Sequence, residues 1–142
     1  MGEGPADSER RTCLVLLPER EASGDVAVRL EEAILMSDMN VASLDSHGEY
    51  GTLLSEIAAQ IPRTIESADA VIADMSGSDP NIMYQLGFAH ALKKPVLPII
   101  QRDSGSVPSN LQGYLFLVYD TANLSELARA VRRWLIRQTG AR

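Results

Sequence analysis

Short apolar runs rich in Val, Leu and Ile recur along the chain, separated by stretches in which apolar residues return every three to four positions. Those two periods in alternation predict strands joined by amphipathic helices, the pattern of βαβ units on a parallel sheet. Five strands are predicted: Thr12 to Leu17, Asn40 to Leu44, Ala70 to Ala73, Val96 to Ile100 and Tyr114 to Val118. Several are apolar at every position rather than at every second one, which fits strands covered by helices on both faces.

Helices fill the intervals. The first, from about Asp25 to Ser37, is expected to turn Val28, Ala33 and Ile34 or Leu35 inward, with Ser23-Gly24-Asp25 supplying its capping residues. The second, from about Thr52, places Leu54, Ile57, Ala58, Ile61 and Ile65 on one stripe, and Pro62 is expected to kink or restart it. The third begins at Asp79-Pro80, a cap followed by proline at the first helical position, and ends near Lys93, before Pro95. The last, roughly Leu124 to Arg137, aligns Leu124, Leu127, Ala128, Val131 and Leu135. Right-handed crossovers then give a flavodoxin-like, Rossmann-like α/β three-layer sandwich with a five-stranded parallel sheet in the order 2-1-3-4-5. The expected layout is a polar tail over 1–11, one domain over 12–138 and a short tail over 139–142.

A length of 142 residues suffices for one domain with its own core, and 45% hydrophobic with 23% charged residues argues against disorder. The lone Cys13 sits in an apolar run, so it reads as a core residue and leaves no internal disulfide or multi-cysteine metal site. Two histidines on separate elements, without paired spacing, point to no metal. No apolar stretch is long enough to span a bilayer, and the mixed charges of Met1 to Arg11 are unlike a signal peptide, so a cytoplasmic location without a membrane partner is expected. A net charge of −6 disfavours nucleic acid as a partner. Arg129, Arg132, Arg133, Arg137 and Arg142 nevertheless crowd the last helical segment; such a run is usually a solvated face, and contact with an acidic partner is the alternative.

In open parallel sheets ligands bind beyond the carboxyl ends of the strands, where the strand order reverses. That rule selects the loops Pro18 to Asp25, Asp45 to Gly51, Asp74 to Asn81 and Gln101 to Gly113. The segment Ala73 to Asn81 runs from a strand end into a helix N-terminus, whose unpaired N–H groups favour an anion or a sugar hydroxyl. Equally, Asp79 reads as a plain cap and Ser76-Gly77-Ser78 as a plain turn. Asn81, Gln85, Phe88 and Leu92 share a helical stripe whose polar members come first, as in a pocket floor grading into core; a solvent-facing Gln85 is the other reading. His90 should point away from that pocket. On the second loop Asp45 could bond ribose hydroxyls and Tyr50 could stack on a base, with His47 between them, although ordinary loop chemistry fits as well. Arg20 and Arg102 could reach a phosphate or simply be solvated. Gly-x-Gly-x-x-Gly after the first strand and a Gly-Lys-Ser/Thr loop are both missing, so ordinary dinucleotide and P-loop readings fail.

The run from Ile72 to Val96, through Asp79-Pro80-Asn81, Tyr84-Gln85-Leu86-Gly87, Ala89-His90-Ala91-Leu92 and Lys94-Pro95, resembles the nucleoside 2-deoxyribosyltransferase superfamily. It looks closest to the TIR-like, predicted nucleotide-binding branch, in which Asn stands at the Asp79 position and Glu at the Gln85 position. The likeness continues in Leu17-Pro18, in Asp45, in Ile57, Ile61 and Ile65 before Ala68-Asp69, and in Val107-Pro108. It is specific for the fold and much less so for substrate. The resemblance implies chemistry at an N-glycosidic bond, a nucleoside, nucleotide or NAD-like small molecule as partner, no cofactor, and association into a homo-oligomer. Carried over residue by residue, it implies Gln85 at the catalytic position, with Pro18, Asp45, Asp74, Ser76, Gly77, Asn81 and Tyr84 expected to bind the ligand; Asp79 or Asp74 could in principle supply another catalytic carboxylate, against which Asp79 reads as the helix cap.

Breaking the bond between base and sugar builds oxocarbenium-like charge, which a carboxylate stabilises or traps. Glutamine keeps the shape of glutamate but carries no charge. Gln85 is therefore either native to a binding module, or a silencing replacement in an N-glycosidase or deoxyribosyltransferase. A nucleotide sensor that signals through self-association, and an assembly domain with no small ligand, are the competing functions.

Overall fold

Cys13, Leu14, Val15 and Leu16 are all buried, because the strand that carries them is flanked on both edges and covered on both faces. This strand, β1 (Thr12–Leu16), belongs to a computed structural model that describes residues 10–18, 24–44, 54–102 and 116–140. β2 (Asn40–Ser43) pairs with one edge of β1 and β3 (Ala70–Asp74) with the other, followed by β4 (Val96–Gln101) and β5 (Leu117–Tyr119). All four pairings are parallel and the order is β2-β1-β3-β4-β5, as expected from the sequence. The register sets Leu14 opposite Ala42 and Val71, and Asp74 opposite Ile99.

Successive side chains of a strand point to opposite faces, and here each face has its own core. Cys13, Val15, Ala70, Ile72 and Ile99 pack against α1 (Asp25–Leu35) and α4 (Leu124–Thr139). Leu14, Leu16, Val71 and Ala73 pack against α2 (Leu54–Ser67) and α3 (Pro80–Ala91). Both faces being dry explains why the strand sequences lack alternation.

Several local expectations change. On α1 the buried residues are Val26, Leu30, Ala33 and Ile34, whereas Val28 is 49% and Leu35 50% exposed. Val28 and Ala33 are five residues apart, so at 100° per residue they are separated by roughly 140° and cannot share a stripe. Helix α1 also ends at Leu35, before a turn in which Asp38 adopts φ 58°. Its N-cap is Gly24, which makes no side-chain cap bond. Pro62 neither ends nor restarts α2, which continues as one helix to Ser67; proline's missing N–H removes one bond, and the helix tolerates it. Strand β5 includes Tyr119, which was expected to lie beyond it, while Tyr114 falls outside the described residues. Helix α4 runs on to Thr139, where Gly140 at φ 68° provides the left-handed cap. Among the described residues no helix is long and apolar enough to cross a membrane.

Candidate functional site

The turn from β3 into α3 is held by its own polar groups. Asp74 ends β3 with no exposed surface; its Oδ1 accepts from the Ser76 N–H at 2.8 Å and its Oδ2 from the Tyr119 hydroxyl at 2.7 Å. The Ser76 Oγ accepts from the Gln101 N–H at 2.8 Å, and the Met75 N–H donates to the Ile99 carbonyl at 2.8 Å. Four bonds thus tie this turn to itself and to the ends of β4 and β5. Gly77 (φ 76°) and Ser78 (φ 52°) then swing the chain through the left-handed region, which glycine adopts without strain. Asp79 follows in extended conformation as the N-cap of α3, accepting from the Asn81 N–H at 2.8 Å, with Pro80 opening the helix.

With its start fixed, α3 turns Ile82, Gln85, Leu86 and Ala89 toward the sheet. Gln85 is only 5% exposed. It lines a small cleft over the ends of β1 and β2, where Leu16, Leu17, Leu44 and Ile82 supply apolar walls and Asp79, Asn81 and Gln85 the polar groups. The cleft lies where β2 and β3 depart from β1 in opposite directions, the reversal of strand order at which open α/β sheets bind ligands. Its described walls enclose about 40 Å³, room for a cluster of hydroxyls or waters rather than a whole nucleoside. Among the described residues, the Gln85 side-chain amide makes no hydrogen bond. A buried amide left unpaired costs about 1–3 kcal/mol.

Of the residues expected in a site, the structure gathers Asp79, Asn81 and Gln85 in this cleft. Asp74 and Ser76 are buried and committed to the bonds that shape the turn, with Asp74 following Ala70 and Ile72 on the opposite face of the sheet. Gly77 is exposed on the turn, and Pro18 is buried just past β1 without lining the cleft. Tyr84 is 55% exposed and packs edge-on against Phe88, ring centroids 5.0 Å apart. Leu92 is 41% exposed, so the stripe from Asn81 does not deepen evenly into core. His90 stays out of the cleft lining, as its angular position predicts, and the exposed Arg102 stays out too. Asp45, His47, Tyr50 and Arg20 lie outside the described residues.

Sequence reasoning missed Tyr119. Its partner Asp74 is 45 positions away, and only the shared strand parity of Asp74, Ile99 and Leu117 with Tyr119 hinted that the two face the same layer. No cluster of His, Cys, Asp or Glu among the described residues could hold a metal ion.

No protein-family model matches this chain, and none of the curated proteins compared with it matches either. Solved structures do. The CMP N-glycosidase BcmB of Clostridium botulinum superposes with a TM-score of 0.59 at 12% identity, covering 86% of this chain and 98% of that structure. A 2-deoxyribosyltransferase from Leishmania mexicana gives 0.52 at 22% identity, covering 84% and 97%. The TIR domain of the Toll-related receptor TRR-2 from Hydra magnipapillata gives 0.56 at 19% identity, covering 89% and 94%. The chain has the fold of these nucleoside deoxyribosyltransferase, N-glycosidase and TIR domains. At such identities the likeness is one of fold, and it agrees with the resemblance carried by Ile72 to Val96.

Proposed function

We propose that this chain binds a nucleoside or nucleotide over the cleft at the ends of β1 and β2, and that with glutamine at position 85 it holds the glycosidic bond without breaking it. The observation that carries this reading is the buried Gln85 amide, unpaired among the described residues and flanked by Asp79 and Asn81. An amide offers both donor and acceptor to a sugar diol. Asp79 spends Oδ1 on the α3 cap and, among the described residues, keeps Oδ2 for a further donor, such as a ribose hydroxyl. The likeness to a CMP N-glycosidase and a 2-deoxyribosyltransferase supports a nucleoside-containing ligand.

The missing element is a carboxylate at position 85. Glycosidic cleavage requires a group that stabilises or captures the developing oxocarbenium ion, and an amide does neither well. Calorimetric titration with nucleosides, nucleoside monophosphates and NAD is expected to give saturable binding without base release. The Gln85→Glu chain is expected to release base at a rate on the order of a thousandfold or more above the Gln85 form, followed by chromatography of the free base. Robust turnover by the Gln85 form would overturn the role given to this side chain, and absence of binding across the panel would overturn the ligand class.

A further inference from the structure

Helix α4 carries four arginines, Arg129, Arg132, Arg133 and Arg137, against one acid, Glu126. The chain has 13 basic and 19 acidic side chains in all, so nine and eighteen of them lie elsewhere, and the net charge of −6 conceals a cationic helix on an otherwise anionic body. All four arginines are exposed. Among the described residues no ion pair engages their guanidinium groups. Glu126, three positions before Arg129, accepts instead from the Asn123 side-chain amide at 3.1 Å. The excess of acid in this chain therefore leaves the positive charge of α4 without a counter-charge.

Arg129, Arg133 and Arg137 follow one another at four-residue steps and so form one row along the helix, advancing about 6 Å per step. Arg132 and Ile136 belong to the neighbouring row. Arg129, Arg132, Arg133 and Ile136, with Glu126, border a shallow groove of about 440 Å³. Side chains on one face of an extended peptide recur at every second residue, about 6.7 Å apart, so three carboxylates in that arrangement meet three guanidinium groups in turn. Each planar guanidinium can grip a carboxylate through two hydrogen bonds. A partner helix offers a similar step but needs an apolar ridge and an apolar seat, and Ile136 is the only apolar side chain among the described residues that border the groove. A nucleic acid would run beyond α4 onto the anionic body, which repels it, whereas a short acidic segment covers only the arginine row. We propose that the outer face of α4 binds an acidic segment of another protein in extended conformation, with carboxylates on alternate residues seated on Arg129, Arg133 and Arg137 and its backbone beside Arg132. The proposal is independent of the ligand at Gln85, whose cleft lies in the α2–α3 layer on the other face of the sheet.

Fluorescence anisotropy of labelled probes titrated with the full chain tests this. At low salt a short peptide carrying three glutamates alternating with serines is expected to bind saturably, and to weaken as salt screens the pairs. A peptide of the same composition with its glutamates contiguous is expected to bind more weakly, because only two of the three then share a face of the extended chain. R133E sets a like charge in the middle of the row and is expected to lower affinity for the alternating peptide by about tenfold or more. R63E makes the same change in net charge at an exposed arginine of α2 and is expected to alter affinity by less than about twofold. Circular dichroism establishes that each variant is folded, and R129E repeats the test at one end of the row. A chain that does not bind the alternating peptide, a loss in R63E equal to that in R133E, or a contiguous peptide bound as tightly would each overturn the proposal. Tighter binding of oligothymidylate or tripolyphosphate than of the alternating peptide would overturn the class of partner.

Discussion

Gln85 pits stability against binding within one side chain. Its amide is buried among Leu16, Leu17 and Ile82 without a described hydrogen-bond partner, so replacing it with leucine removes an unsatisfied polar group at little change in size. Chemical denaturation of Gln85→Leu is expected to show unchanged stability or a gain of about 1 kcal/mol, while calorimetry shows nucleoside binding lost. A loss of 2 kcal/mol or so would mean instead that the amide serves the fold. Tyr119 presents the opposite case. Removing its hydroxyl leaves the fully buried Asp74 Oδ2 without that donor, so Tyr119→Phe is expected to cost about 1–3 kcal/mol in the same measurement. Cys13 adds a pH dependence, since burial pushes its thiol from 9.0 to about 12. Below pH 9 the thiol is protonated in folded and unfolded chains alike and contributes no slope. Between pH 9 and 12 the unfolded chain loses that proton while the folded chain keeps it, so stability falls by about 1.4 kcal/mol per pH unit from this group. Denaturation midpoints across that window are expected to be flatter for Cys13→Ala than for the parent, whatever other groups titrate.

At the scale of elements, what a few neighbouring residues dictate was legible and what distant residues share was not. The start of α3 could be read because the cap, the proline and the N–H that the cap accepts lie within three positions, Asp79 to Asn81. The inner face of α1 was misread because Val28 was assigned to a stripe its angle excludes; Val26, Leu30, Ala33 and Ile34 satisfy the helical period and are the residues the sheet covers. The anchoring of the β3–α3 turn was not legible, since Asp74 meets Tyr119, and Ser76 meets Gln101, only after β3, β4 and β5 are aligned. That difference in range predicts different mutational behaviour for two aspartates five positions apart. Asp79→Ala loses a half-exposed cap and is expected to cost about 1 kcal/mol, with Asp79→Ser keeping most of it. Asp74→Ala empties a fully buried position and removes the acceptor of both the Ser76 N–H and the Tyr119 hydroxyl, so it is expected to cost more than the cap does. Denaturant midpoints of the three variants give the ranking.

For the molecule as a whole, strand order was legible because handedness leaves few ways to join parallel strands, and because strands apolar at every position have to be covered on both faces. The same arrangement bears on how the chain unfolds. One core lies between the sheet and α1–α4, the other between the sheet and α2–α3, yet both are anchored on the same strands: β1 gives Cys13 and Val15 to the first, Leu14 and Leu16 to the second. Neither layer can leave without exposing one whole face of β1 and β3 to water, and that exposure weakens the strands on which the other layer rests. A single cooperative transition is therefore expected. Trp134 is the only tryptophan and packs in the α1–α4 layer, so its fluorescence reports on that layer alone, whereas far-ultraviolet circular dichroism sums the helices of both. The two signals are expected to share one denaturation midpoint. A tryptophan transition that precedes a second, dichroism-detected step would show instead that the layers are separable, and that α1 and α4 can detach while the sheet and the cleft under α3 persist.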